Sequence, residues 1–316
     1  MDIGLVYHPD YLKHHAGEQH PERPGRLEAV MQALEASGHT QHLMALEGNH
    51  DAASWAASVH DLRHIRLVQA ASARGRAALD PDTIVCSDSY TVALKAVAGT
   101  LAAADAVMQG QVSQVFCAVR PPGHHATPQR PMGFCLFNNV AILARYLQQH
   151  HGLDNILIVD WDVHHGNGTQ AIFDDDPSVL YFSVHQYPFY PGTGAATETG
   201  RGRGQGFTLN VPLSAGAGDD TYTAVFERQL LPQALAYRPD CVLISAGFDA
   251  HYADPLAHMQ VTEEGYRRMT QVVKEIAATC SQRRLISVLE GGYNLEALGR
   301  SVQAHVEELQ RPSTPA

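Results

Sequence analysis

The chain has 316 residues, 45% of them hydrophobic and 17% charged, which suits a large buried core and excludes a disordered chain. Lys and Arg number 22 against 33 Asp and Glu, a formal charge of −11 with histidine neutral, and there is no long basic run, so no direct nucleic-acid partner is expected. Five scattered cysteines without a CxxC pair, no basic-then-apolar leader, and no apolar run approaching the ~20 residues of a membrane span make a cytoplasmic protein with free thiols the expectation.

Short, nearly continuous apolar runs predict strands over 3–7, 115–119, 156–161, 179–184, 208–211, 241–246 and 285–289. Helical patterns lie between and after them. The first covers 23–36, with Leu27, Val30, Met31 and Leu34 on one side. Others cover 90–108, 138–149, 220–235, 262–278 and 295–310, and Thr262 before Glu263 and Glu264 reads as a helix cap. Strands apolar on both faces, alternating with helices, predict a doubly wound α/β domain over 1–310 with a disordered tail at 311–316. The Gly-rich stretch 192–206 reads as a loop because strands continue after it.

In open parallel sheets, sites form at the carboxyl ends of the strands. Five strand ends here carry polar clusters: 120–125 (RPPGHH), 160–168 (DWDVHHGNG), His185, 245–251 (SAGFDAH) and 290–293 (EGGY). Asp160, Asp162 and His164 are spaced i, i+2, i+4, which in extended backbone points them to one side. Two carboxylates and an imidazole brought together repel and lose hydration unless a cation joins them. Such ligands suit zinc and also admit Fe(II), Mn(II) or Co(II). Asp249, from another strand end, can supply a third protein ligand, leaving a coordination position for water as catalytic sites do. The structural alternative is that the aspartates cap a turn and the histidines bond the backbone.

The other clusters are open in the same way. His124 and His125 follow a stiff Pro-Pro turn and can act as general base and acid, or be ordinary loop histidines. Tyr293, after Gly291 and Gly292, can donate to a developing oxyanion, or simply pack in a turn. In Gly133-Phe134-Cys135-Leu136-Phe137-Asn138-Asn139, Phe134 can wall an apolar channel or belong to the core.

Six segments, 20–24 (HPERP), 120–125, 133–139 (GFCLFNN), 160–168, 245–251 and 289–293 (LEGGY), resemble the histone deacetylase superfamily, in family order and across nearly the whole chain. The likeness is greatest to its class II branch and to bacterial deacetylase-like amidohydrolases. It implies the arginase-deacetylase fold, a single-domain three-layer α/β/α architecture with a mostly parallel central sheet. It implies one zinc held by Asp162, His164 and Asp249, with His124 leaning on Asp160, His125 as the main base and acid, and Tyr293 polarising the scissile carbonyl. Gly133 and Phe134 would line the acyl-lysine channel, Asp88 would bind the substrate backbone, and potassium would sit near Asp160, Asp162 and His164 with Ser183.

Three positions depart from the family pattern. Asn167 stands where class I members have an aspartate, removing a charge that would raise the basicity of His125. Tyr190 stands where many members have the second channel phenylalanine, which makes that wall more polar. Leu256 stands where polyamine-specific relatives carry a gating glutamate. The expected activity is removal of acetyl or other acyl groups from lysine side chains or related amines. The alternatives are an acetylpolyamine amidohydrolase and a non-catalytic acyl-lysine binding protein. A binuclear manganese hydrolase of the arginase type would need a second Asp-x-Asp cluster, and Asp249 is followed by Ala250 and His251. The sequence leaves room for a homo-oligomer.

Overall fold

The computed structural model describes residues 3–312. In chain order the elements are β1 (Ile3–Val6), α1 (Gly25–Ala36), β2 (Leu43–Leu46), α2 (Ala52–Ala56), α3 (Leu62–Ala73), β3 (Ala77–Ala78), β4 (Ile84–Val85), α4 (Ser89–Met108), β5 (Gln114–Cys117), α5 (Asn139–His151), β6 (Ile156–Asp160), α6 (Asn167–Phe173), β7 (Val179–Gln186), β8 (Thr208–Leu213), α7 (Asp219–Val225), α8 (Leu231–Tyr237), β9 (Cys241–Ala246), α9 (Glu263–Cys280), β10 (Leu285–Leu289) and α10 (Leu295–Gln310). Each strand and helix read from the sequence forms, with ends shifted by a few residues. The helix expected over 220–235 is divided into α7 and α8 by a π-turn at Phe226–Leu230. Additional to the reading are β2, α2, α3, α6 and the small hairpin of β3 and β4. The predicted tail lies, from residue 313, outside the described residues. Arg311 is held in place, its guanidinium 3.1 Å from Glu308 and its carbonyl accepting from Lys274 Nζ at 2.9 Å.

Eight strands form one sheet in the order β2-β1-β5-β10-β9-β6-β7-β8, every pairing parallel. The central strands β5, β10, β9 and β6 are buried throughout. That is why their sequences show no polar alternation. One group of helices, α2 to α6, packs together on one face; α1 and α7 to α10 pack on the other. Each fully buried Val, Leu or Ile in these layers contributes about 1.5–3 kcal/mol of transfer free energy. Thr262 caps α9 as read, its hydroxyl accepting from Glu264 N–H at 3.2 Å.

One expectation needs correcting. Helix α4 is 20 residues long and apolar enough to span a membrane by length and composition. Most of it is buried inside the protein, where it packs on β1, β5 and α5 as the central helix of its layer.

The 20–24 segment has a structural role that the sequence did not reveal. Glu22 is fully buried and is shared by two fully buried arginines. Arg120, just past β5, pairs with it through Nε and through Nη2 at 2.7 Å. Arg26, in α1, approaches it at 3.3 Å, and His14 Nε2 lies 3.4 Å away. Burial alone would raise the Glu22 pKa, but the Arg120 charge and the bonds from His14 and Arg120 hold it well below the usual range.

Glu22→Gln is therefore expected to destabilise the fold by about 3–5 kcal/mol at neutral pH, because it leaves buried guanidinium charge uncompensated. A depressed carboxylate stabilises above its unfolded pKa and loses that contribution as pH falls through the folded value. Urea unfolding of both proteins should show the gap undiminished at pH 7 and closing only below about pH 4. Equal midpoints at pH 7 would refute the role.

Candidate active site

In sheet order, β5, β10, β9, β6 and β7 are consecutive neighbours. The polar segments that follow them in sequence therefore meet at one carboxyl edge. Strand β6 ends at Asp160, and the chain then bends. Beyond Asp160 the backbone is no longer strand, yet the expected alternation holds: Trp161 and Val163 are buried in the core, Asp160 and Asp162 approach the two ring nitrogens of His124 at 3.1 and 3.7 Å, and His164 lies 3.2 Å from Asp162.

Asp162, His164 and Asp249 offer ligand atoms that all lie within 4.8 Å of one another. His164 Nδ1 is 3.2 Å from both Asp162 Oδ1 and Asp249 Oδ2. Backbone amides fix the carboxylates. Val163 N–H donates to Asp249 Oδ1 at 2.9 Å, and Gly291 N–H donates to Asp162 Oδ2 at 2.8 Å. Both carboxylates are buried. Burial, followed by repulsion from Asp162, raises the Asp249 pKa. Burial opposes a charged His164, yet its bonds to Asp162 and Asp249 raise its pKa to about 10. The set is short of positive charge, and a divalent cation would supply it while leaving the imidazole neutral. Two carboxylates and one imidazole form a donor set that zinc accepts.

Asp160 stands behind this set. Its carboxylate accepts from Tyr181 OH at 3.0 Å and from Asp162 N–H at 3.2 Å, and lies 3.1 Å from His124 Nδ1. Burial would lower the His124 pKa; the charges of Asp162 and Asp160 override it and raise it to about 10. His125 moves the other way. Burial, then the proximity of His124 and His164, holds its pKa well below the ordinary value. Its Nδ1 lies 2.8 Å from Asn167 Oδ1, an acceptor that carries no charge. Two adjacent histidines thus acquire opposite tendencies. His165 faces away, bonded to Thr193 Oγ1 and Gln170 Oε1, both at 2.8 Å. Ser183 pairs with Asp160 in the β6/β7 register, its hydroxyl 2.9 Å from His185 Nδ1.

A cavity of about 220 Å³ opens over His125 and His164, lined also by Gly133, Phe134, Phe189, Tyr190, Leu256, Tyr293 and Asp82. Phe134 sits 5.8 Å from Tyr293, ring to ring, and holds a left-handed backbone at φ 66°. Its N–H donates to Thr83 Oγ1 at 3.1 Å and the His20 ring packs on it at 4.7 Å, which pins that conformation. Gly133 must lack a side chain, because a Cβ would meet the His125 ring at 2.4 Å. On the opposite wall Phe189 stacks on His164 at 5.5 Å and Tyr190 stands edge-on to His125 at 5.1 Å. Tyr293 is set by its neighbours: Asp254 accepts its N–H at 2.6 Å, and Arg26 donates to the carbonyls of Gly292, at 2.6 Å, and Glu290.

The candidate catalytic, channel and metal-ligating residues read from the sequence therefore gather at this edge, with the exception of Asp88. It is exposed at the start of α4, beside Ser87. The β3–β4 hairpin instead brings Asp82 to the cavity. Phe189, Asp82 and Glu290 were missed. Glu290 accepts from the N–H groups of Gly123 (2.6 Å) and His124 (3.2 Å), fixing the histidine loop, and its adjacency to Gly291 was the available signal.

Residues 20–309 match the family described as Histone deacetylase domain, and the chain belongs to that family. It is 39% identical over 298 residues to a probable deacetylase of Archaeoglobus fulgidus, covering 94% of this chain and 82% of that protein. It is 40% identical over 331 residues to human Polyamine deacetylase HDAC10, covering 100% of this chain and 49% of that protein. The crystal structure of the HDA15 HD domain superimposes with a TM-score of 0.93 at 39% identity, covering 100% of this chain and 90% of that one.

A Cβ at Gly291 would stand 2.1 Å from Asp249 Oδ2 and 2.5 Å from Asp162 Oδ2. Gly291→Ala is expected to keep its secondary structure but lose about 10–100-fold in metal affinity. Competition with a chromogenic chelator measures this; wild-type affinity in the variant would dissolve the assigned carboxylate pair.

Proposed function

We propose that the protein is a zinc-dependent hydrolase that removes acetyl or other acyl groups from lysine side chains or related amines. The observation that carries the reading is one narrow cavity whose lining brings together His125, His164 and the Tyr293 side chain. Zinc, held by Asp162, His164 and Asp249, would polarise the acyl carbonyl and make water a better nucleophile. Potassium, with Ser183 among its partners, belongs to the same proposal.

The chain's own residues account for the remaining chemistry. His125 is held neutral, and with Nδ1 engaged by Asn167 its Nε2 is free to take the proton of the attacking water. Returned to the departing nitrogen, that proton lets a neutral amine leave. Burial holds the Tyr293 phenol protonated, well above the usual tyrosine range, so it can donate to the oxygen on which negative charge develops. His124, raised towards its charged form by Asp162 and Asp160, supplies positive charge behind the reacting centre.

The walls select a slender apolar chain. Phe134, Phe189, Tyr190 and Leu256 surround it, which suits the methylenes of an acyl-lysine. Leu256 offers nothing to a second ammonium. The polyamine reading draws on Asp82 at the cavity, with Asp80 beside it, because paired carboxylates there would attract a second, protonated amine.

Tyr293→Phe removes one oxyanion donor, worth on the order of 3 kcal/mol of barrier, so turnover should fall about a hundredfold or more with zinc content unchanged. Full activity in that variant would remove the tyrosine from the reaction. An acetyl-lysine peptide should turn over faster than N-acetylputrescine or acetylspermidine, with both rates abolished by a chelator and restored by zinc. Preference for the polyamines would select the second reading, and inertness towards every acylamine with zinc bound would leave a binding protein.

A further inference from the structure

A second convergence of metal-binding side chains lies at the other edge of the sheet. Helix α4 leads into β5 and α5 into β6, so both helices end at the amino edge, opposite the acyl cavity. His150 and His151 close the last turn of α5, and Asp105 sits in the last turn of α4. Ligand atoms of Asp105, His150 and His151 all lie within 4.8 Å of one another. His151 Nε2 is 2.8 Å from Asp105 Oδ1, and on the other carboxylate oxygen His50 Nε2 approaches to 3.3 Å.

The surroundings are built rather than loose. Tyr146 OH donates to Asp105 Oδ1 at 2.7 Å, orienting the carboxylate. The Tyr146 ring stacks face to face on His150 at 4.8 Å and meets His151 edge-on at 5.3 Å. Trp55 closes the back of Tyr146 at 4.8 Å. A carboxylate oriented by a hydrogen bond, with imidazoles packed on one aromatic ring, is the outer support that metal ligands require, and the exposed His150 leaves the group open to an ion from solvent. The last turn of α5 also presents the negative end of its dipole, which favours a cation.

Simple hydrogen bonding explains His151 on Asp105. It does not explain why His150 keeps its ligand atom within reach of the same two groups, nor why a third imidazole faces the remaining carboxylate oxygen. We propose that Asp105, His150 and His151 form a second zinc site distinct from the catalytic one, with His50 holding the other oxygen of Asp105. Two imidazoles and a carboxylate are donors that zinc prefers, and a fourth position is left for water. The ion ties the end of α4 to the end of α5, and binding to the folded state alone stabilises it.

The test uses the intact protein with zinc already at the catalytic set, dialysed against excess zinc and analysed for metal. Wild type should hold a second zinc per chain and gain melting temperature from the excess. His150→Ala/His151→Ala should hold one, show no such gain, and deacetylate at the wild-type rate. One zinc in wild type, or a second zinc retained by the double variant, overturns the proposal. Should the double variant fail to fold, Asp105→Asn keeps an oxygen acceptor for Tyr146 and removes the charged ligand. It should lose the second ion, and retention there refutes the site equally.

Discussion

The structure depends on accommodating negative charge in a dry place. Asp160, Asp162, Asp249 and Glu290 are all essentially buried at one end of the central strands. An unpaired carboxylate there would cost several kcal/mol. Backbone amides meet part of the need, from Val163 to Asp249, from Gly291 to Asp162, and from Gly123 and His124 to Glu290. Each is a partial charge aimed from a loop, so the loops must hold their course. What remains raises the pKa values of His124 and His164 and leaves the Asp162–Asp249 pair suited to a divalent cation. His125, pressed against those two and facing only an amide oxygen, is pushed towards neutrality. The division of labour between adjacent histidines follows from which carboxylates each one touches.

Holding the loops is the work of a second charged group set deeper. Glu22 joins Arg120, at the end of β5, to Arg26, which lies under the β10 loop and donates to the carbonyls of Glu290 and Gly292. The same arginine lies 5.0 Å from the Tyr293 ring centroid. A residue near the start of the chain thereby fixes the turn that carries the proposed oxyanion donor. Glycines supply the clearance. Gly247 and Gly291 pass so close to Asp162 that no Cβ fits at either position.

Much of this was legible in the sequence because buried parallel strands have an unmistakable apolar signature, and the clusters follow them directly. The elements that escaped were those with weak signals. β2 is a half-exposed edge strand, and α6 begins at Asn167 and Gly168, a pair that reads as a turn. The roles within 160–165 were not a matter of periodicity at all. Which carboxylate meets His124 and which meets His164 depends on partners supplied by other strand ends, and spacing cannot show those; the family resemblance assigned what spacing alone left open. Asp88 and Asp82 illustrate the limit at the cavity. Asp80, Asp82 and Asp88 share one short segment, and only the β3–β4 pairing decides which carboxylate reaches the channel and which starts a helix.

Parallel topology also explains why polar groups of different kind accumulate at the two edges. At the carboxyl edge, loops expose amide N–H groups that welcome carboxylates; at the amino edge, helices end in carbonyls that welcome cations. The first edge collects the aspartates of the cavity, and the second collects His150 and His151 beside Asp105. The channel wall obeys a further constraint. Tyr190 stands against His125 while Phe189 stacks on His164, so the apolar face opposite Phe134 is shared by two rings. The added hydroxyl of Tyr190 therefore leaves an aromatic ring facing the cavity on that wall, and Leu256 and Asp82 complete the lining beside it.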